Sequence, residues 1–143
     1  MRALTAALSL LCACNIDKPV DCTMEARASV QVSVVDQNGV ALVPSSAEYQ
    51  VNGGDLTQVD CMGGEEACSE FVVGWEQAGT FSVTASYEGE VEGDPCCWYN
   101  DNQTVEVEVG MTEDGCHVET QQITITLDTS SMLCADVGAD SCG

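Results

Sequence analysis

The sequence has very little positive charge and few aromatic side chains. Lysine and arginine together number 3 against 24 aspartates and glutamates, so the formal net charge of the 143 residues is −21. A surface this acidic repels nucleic-acid phosphates and anionic lipid headgroups, which excludes nucleic-acid binding. The sequence also has a single histidine, His117, and no recurring pair of closely spaced cysteines, so a structural zinc site is not indicated.

Long hydrophobic runs are missing as well. The apolar stretch from Ala3 to Leu11 is only about half of the ~20 residues that a membrane-spanning helix needs. Because this stretch follows Arg2, it has the charged start and short apolar region of a secretory signal peptide. We therefore predict an exported protein without a transmembrane helix in this segment.

The end of the apolar stretch has the pattern of a bacterial lipobox. In Leu11-Cys12-Ala13-Cys14 an aliphatic residue is followed by two small residues and a cysteine, which predicts cleavage after Ala13 and lipid attachment to Cys14. Several acyl chains hold a protein on a membrane stably. The predicted segments are a signal peptide over residues 1–13 and a lipidated tether over 14–27, and Asn15 after the lipidated cysteine favours the outer membrane.

Ten cysteines are more than a cytosolic protein of this size carries as free thiols. Eight remain once Cys12 is removed with the signal and Cys14 is lipidated, which predicts up to four disulfides and an oxidising compartment. Adjacent cysteines have Cα atoms ~3.8 Å apart, shorter than a disulfide normally spans, so Cys96 and Cys97 should have different partners. Cys61 and Cys68 flank a turn-like segment and are predicted to form a local bridge. The eight candidates are Cys22, Cys61, Cys68, Cys96, Cys97, Cys116, Cys134 and Cys142.

Short runs with alternating apolar and polar residues cover the middle of the chain, and this period of two is typical of half-buried β-strands. The clearest are Val30 to Val34, Thr80 to Tyr87, Val105 to Val109 and Ile123 to Leu127. About seven such strands without an amphipathic helix predict an all-β protein: a seven-stranded antiparallel β-sandwich, prealbumin-like or Ig-like, over residues 28–127. The tail 128–143 should be held by Cys134 and Cys142.

The pattern also predicts the connections between strands. Val40 to Val43 should resume the sheet after a turn at 36–39, and Glu88 to Asn102 should form a long acidic loop. Strands are expected at 47–51 and 70–75 as well.

Three segments resemble a known family. Residues 30–39 read V-x-V-x-V-x-D-x-x-G, residues 79–85 read G-T-F-S-V-T-A, and Asp114 to Val118 precede a final Thr/Ile-rich strand. Together they are similar to the carboxypeptidase regulatory-like or transthyretin-like domain. The resemblance implies a seven-stranded prealbumin-like topology and no activity, since the module accompanies enzymes or receptors in multidomain relatives. The enzymatic relative, hydroxyisourate hydrolase, is expected to end in Tyr-Arg-Gly-Ser, whereas this chain ends Asp140-Ser141-Cys142-Gly143.

Few side chains suggest a binding site. Oxygen ligands crowd at Asp94, Asn100, Asp101 and Asn102, which are candidates for Ca²⁺. Trp98 and Tyr99 are candidates for an exposed aromatic contact surface; the alternative is that Trp98 covers neighbouring disulfides. His117 has no evident catalytic partner in the sequence.

These features predict a non-enzymatic, lipid-anchored envelope protein without a cofactor, whose β-sandwich has a structural role or binds a protein or a glycan. The alternatives are a Ca²⁺-dependent binding module and a disulfide-rich protease inhibitor acting through the loop between Cys61 and Cys68. An enzyme of unknown type is a further alternative.

Overall fold

A computed structural model describes residues 21–59 and 69–135 of the protein. This part of the chain is all β-structure, with eight strands and no helix. Accordingly, no helix in it is long and apolar enough to cross a bilayer. The strands are β1 Ala28–Asp36, β2 Ser46–Val51, β3 Thr57–Gln58, β4 Glu70–Trp75, β5 Gly79–Glu90, β6 Cys97–Val109, β7 Gln121–Leu127 and β8 Met132–Cys134.

The strands form two sheets. One has three strands in the order β4-β1-β7, and the other has five in the order β3-β2-β5-β6-β8. Strand β1 pairs antiparallel with β4 and parallel with β7. All pairs of the larger sheet are antiparallel, and the longest is the β5–β6 hairpin, which runs from Gly79↔Val109 to Glu90↔Trp98. The open end of this hairpin, at Gly79 and Val109, and its turn end, at Glu90 and Trp98, therefore lie at opposite ends of the larger sheet.

One hydrophobic core lies between the sheets. Alternate residues of β1 and β7 face alternate residues of β5 and β6, as the period of two requires. Fully burying each Val, Ile, Leu or Phe side chain contributes about 1.5–3 kcal/mol. Tyr49 stacks beside Phe81, with ring centroids 6.2 Å apart. The core comprises Val30, Val32, Val34, Val73, Phe81, Val83, Ala85, Val109, Val118, Ile125 and Leu127.

Gly74, in β4, is needed for this packing. It has a left-handed backbone (φ 69°), and an added Cβ would lie 2.8 Å from the Phe81 ring and 2.9 Å from the Ser29 hydroxyl. Ser29 is itself buried, and its hydroxyl accepts a hydrogen bond from the backbone N–H of Gln77. A side chain at position 74 therefore has neither the conformation nor the space it needs.

The structure confirms an all-β fold with disulfides and corrects several details. The described ranges hold eight strands, because the short strands β3 and β8 add to the larger sheet, and the β1–β7 pair is parallel. Val40 to Val43 forms no strand and contributes a single bridge, Val35↔Ala41. The predicted loop from Glu88 to Asn102 is mostly strand, because β5 continues to Glu90 and β6 begins at Cys97. Its polar residues resemble those of a loop, but they belong to the β5–β6 ladder, in which Asn100 and Asn102 lie on one face of the sheet and Asp101 on the other.

Candidate functional site

The chain preceding β1 is fastened to one end of the two sheets. Cys22 forms a disulfide with Cys116, 94 residues later in the chain. The backbone N–H of Arg27 donates to the Glu76 carboxylate at 2.7 Å, and the Arg27 carbonyl accepts from the Glu76 N–H at 2.9 Å. We refer to Cys22, Thr23, Arg27, Glu76, Cys116 and His117 together as the clasp.

Glu76 is the centre of the clasp. It lies in the turn between β4 and β5 with a left-handed backbone (φ 49°), which directs its side chain towards the loop between β6 and β7. Oxygen Oε1 accepts from Arg27 N and lies 2.8 Å from His117 Nδ1, and Oε2 accepts from Val118 N at 3.1 Å. The hydrogen bond with His117 is the main reason why the pKa of the Glu76 carboxyl lies below its ordinary value of 4.5.

Both ring nitrogens of His117 are engaged. Since an ionised carboxylate only accepts hydrogen bonds, Nδ1 carries the proton that is shared with Glu76. Nε2 lies 2.9 Å from the Thr23 hydroxyl, which donates to it when the imidazole is neutral. The backbone of His117 bonds to Thr112 through both N–H and C=O. The imidazole is therefore buried and fixed in position between the N-terminal segment and the β4–β5 turn.

The order of groups in the clasp is hydroxyl, imidazole, carboxylate, which is also the order of an acyl-transfer triad. Thr23, however, lies in an exposed segment without regular structure. Two concavities of the described chain lie outside the clasp: one is lined by residues 31–33, 70–72 and 122–124, and the other by residues between 90 and 98. The interactions described here are those of a structural attachment, in which one disulfide and several hydrogen bonds join the N-terminal segment to the domain.

A second feature lies at the other end of the β5–β6 hairpin. Trp98 is 40 % exposed and is paired with Glu90 on one side and with Leu133 of β8 on the other. A groove of about 520 Å³ runs beside it, and Glu88 and Glu90 line a shallower depression that also borders Trp98. We call this the Trp98 groove; its lining residues are Glu90, Val91, Gly93, Asp94, Pro95, Cys97 and Trp98.

The charge around the Trp98 groove is uncompensated. The only ion pair within 21–59 and 69–135 is that of Glu76 with His117, and the only lysine or arginine there is Arg27, in the clasp. Glu88 and Glu90 are exposed and have no cationic neighbour in this part of the protein. The groove thus combines an accessible indole with a negative electrostatic potential.

Trp98 and Tyr99 do not form a joint surface. They are consecutive residues of β6, so their side chains point to opposite faces of the sheet. Trp98 lies on the outer face, and Tyr99 is half-buried opposite Gly89. Only the tryptophan therefore contributes to an exposed contact surface.

The four residues considered for Ca²⁺ are also dispersed. The alternation along β6 places Asn100 and Asn102 on the face opposite that of Asp101. Asp101 accepts hydrogen bonds from the backbone of Asn102 and Asp128, and Asp94 accepts from the backbone N–H of Cys96. No group of three His, Cys, Asp or Glu suited to a metal ion occurs among the described residues. Calcium binding stays a prediction.

The structure pairs four of the predicted cysteines, as Cys22–Cys116 and Cys97–Cys134. Cys96 is also disulfide-bonded, and because Cys97 is bonded to Cys134, the adjacent cysteines have different partners. Five cysteines named from the sequence lie outside the described residues, and with them the lipidation site and the predicted local bridge: Cys12, Cys14, Cys61, Cys68 and Cys142.

His117 and Trp98 were considered as candidates from the sequence, whereas Glu76 and Thr23 were not. Glu76 follows Trp75 at the end of a strand, and no local pattern distinguishes it from the other acidic residues. No known family model matches the chain, and no curated protein or solved structure is significantly similar to it. The resemblance to the carboxypeptidase regulatory-like domain thus stays a prediction.

Proposed function

We propose that the protein is a non-enzymatic lipoprotein, anchored in the bacterial outer membrane through Cys14, that presents a β-sandwich to a binding partner in the cell envelope. Three features of the sequence support this proposal: the lipobox, the number of cysteines, which indicates disulfides, and the lack of a catalytic constellation. The clasp is the structural observation that supports the proposal most strongly.

Because of the clasp, a lipid anchor on Cys14 would also restrict the orientation of the domain on the membrane. A lipid on Cys14 would lie only a few residues before Cys22, which is bonded to the domain through Cys116. The end of the domain that contains Glu76 and His117 would therefore be kept next to the membrane. A flexible tether without these attachments would allow the domain to rotate freely.

The Trp98 groove would then point away from the membrane. Trp98 lies near the start of β6, and Val109, at the end of β6, pairs with Gly79 beside the clasp. At ~3.4 Å per residue this part of the strand spans roughly 35 Å. The arrangement suits a module that is held at one end and binds at the other.

The finer description of the fold is part of the proposal. Two sheets sharing one core support a β-sandwich, and the sequence segments support a carboxypeptidase regulatory-like or transthyretin-like topology. In that topology β3 and β8 are short additions to the six longer strands β1, β2, β4, β5, β6 and β7, and Cys97–Cys134 attaches β8 to β6.

Membrane fractionation tests the anchor. We expect the wild-type protein in the membrane fraction. A Cys14→Ser variant should appear in the soluble fraction or should keep its signal peptide. Cys12→Ser is the matched control, because it also removes a thiol but leaves a small residue at that lipobox position; it should fractionate like the wild type. Equal behaviour of the two variants would contradict a lipid on Cys14.

A further inference from the structure

We infer that the Trp98 groove binds a lysine or arginine side chain from a basic segment of a protein partner. This inference rests on the proposed display function and specifies the chemistry of its partner.

The groove offers both parts of a cation site. Trp98 is partly exposed and lines the groove, and tryptophan is the aromatic side chain that attracts cations most strongly, within about 6 Å of the ring centroid. Glu90 lies directly opposite Trp98 in the antiparallel pair, which places the Cβ atoms ~4.5–5.5 Å apart. Glu88 precedes it on the same face. A cation above the indole would therefore lie beside one or two carboxylates.

The walls of the groove fit a long aliphatic stem. Val91 and Pro95 line it together with Trp98, and Leu133 lies across from the indole on β8. Lysine and arginine bury their methylene groups on apolar surfaces while the charged end remains hydrated or paired. A small inorganic cation would gain nothing from these apolar contacts.

Charge complementarity favours a lysine or arginine side chain over other ligands. The groove belongs to a chain with a net charge of −21, and Arg27, the only lysine or arginine in the described ranges, is at the opposite end of the hairpin. An anionic ligand would be repelled. A neutral glycan could stack on Trp98, but it would desolvate Glu88 and Glu90 without a compensating charge. A basic peptide segment satisfies both the indole and the carboxylates.

Calorimetric titration of the full processed protein in neutral detergent with an oligolysine peptide tests the inference. We expect binding that weakens as NaCl rises and that is lost with the same peptide after acetylation of its lysines. Trp98→Leu, which keeps the net charge, should weaken binding roughly 5-fold or more. Trp75→Leu is the matched control, because Trp75 is 60 % exposed but lies at the clasp end; its affinity should stay within about 2-fold of the wild type.

Two outcomes would overturn the inference. Equal affinities of the Trp98→Leu and Trp75→Leu variants would show diffuse electrostatic attraction without a site at the groove. Binding of a neutral oligosaccharide that depends on Trp98, with no binding of the lysine peptide, would assign the groove to a glycan. The anchor is judged separately, since Cys14→Ser changes fractionation and leaves the groove unchanged; that variant should bind the peptide like the wild type.

Discussion

The Glu76 carboxylate lies 2.8 Å from Nδ1 of His117, although the two residues are 41 positions apart in the chain. The same carboxylate accepts the backbone N–H groups of Arg27 and Val118. A single side chain thus joins three segments: the chain before β1, the β4–β5 turn and the β6–β7 loop. The predictions below begin with this contact.

Glu76→Gln should lower the melting temperature at pH 7, because a neutral amide makes weaker hydrogen bonds to His117 and to the two backbone groups. The folded pKa of Glu76 lies below 4.5, so its contribution to stability is complete above about that pH and is lost as pH falls through the folded pKa. Melting curves from pH 7 to pH 3 should therefore show the gap between wild type and variant closing below pH 4.5.

The difference in melting temperature between the wild type and Glu76→Gln reports the contribution of Glu76 alone. Three aspartates also have lowered pKa values, so the wild type should lose stability in acid for other reasons as well: Asp36, Asp114 and Asp128. Glu106→Gln, on the exposed face of β6, is the control and should stay close to the wild type throughout. A gap for Glu76→Gln that is constant from pH 7 to pH 3 would contradict the assignment.

His117→Ala should destabilise the domain by roughly 1–3 kcal/mol, since it removes a buried side chain and leaves Thr23 and Glu76 without their shared partner. Urea unfolding monitored by circular dichroism measures this change. Stability within 0.5 kcal/mol of the wild type, a change typical of surface substitutions, would argue against the attachment.

Gly74→Ala should destabilise more than Gly115→Ala. Both glycines have φ 69°, so both substitutions carry the left-handed backbone cost of about 1–2 kcal/mol. Only at Gly74 does the new methyl group meet Phe81 and Ser29, which adds roughly 1–3 kcal/mol of overpacking. Urea midpoints of the two variants provide the comparison, and equal midpoints would show that the core adapts to the methyl group at no cost.

The two described disulfides should protect different regions. Removing either should cost roughly 2–5 kcal/mol, with the larger loss for Cys22–Cys116 because it closes the longer loop. Amide hydrogen exchange in Cys22→Ser/Cys116→Ser should increase at residues 21–27 and in the β6–β7 loop. In Cys97→Ser/Cys134→Ser it should increase at β8. Each variant serves as the control for the other, and the same exchange pattern in both would contradict separate attachments.

The orientation on the membrane can be read from the two tryptophans. Trp75 lies at the clasp end and Trp98 at the opposite end, so Trp98→Phe and Trp75→Phe each leave one emitter. In liposomes with a nitroxide on the lipid headgroup, Trp75 fluorescence should be quenched more strongly than that of Trp98. Stronger quenching of Trp98 would reverse the proposed orientation.

Much of the strand pattern was predictable, because apolar and polar residues alternate in the sequences of β1, β5 and β7. Val30, Phe81 and Ile125 are all buried as the alternation requires. The start of β6 was not recognised, because its Asn and Asp residues resemble those of turns and only the partner strand β5 makes them part of a sheet.

Pairings over long distances could not be derived from local patterns. The parallel pairing of β1 with β7 and the Cys22–Cys116 bond join residues about 90 positions apart. Glu76 likewise acquires its role from residues distant in the chain. Disulfides were predictable from the number of cysteines, whereas their partners required the fold.

Intact mass spectrometry of the protein purified from membranes, before and after reduction and alkylation, is the decisive test of the lipid anchor and the disulfides. We expect a chain that begins at an acylated Cys14, with alkylation of the eight other cysteines only after reduction. An unmodified Cys14, or thiols that are alkylated without reduction, would contradict a lipid-anchored, disulfide-bonded envelope protein.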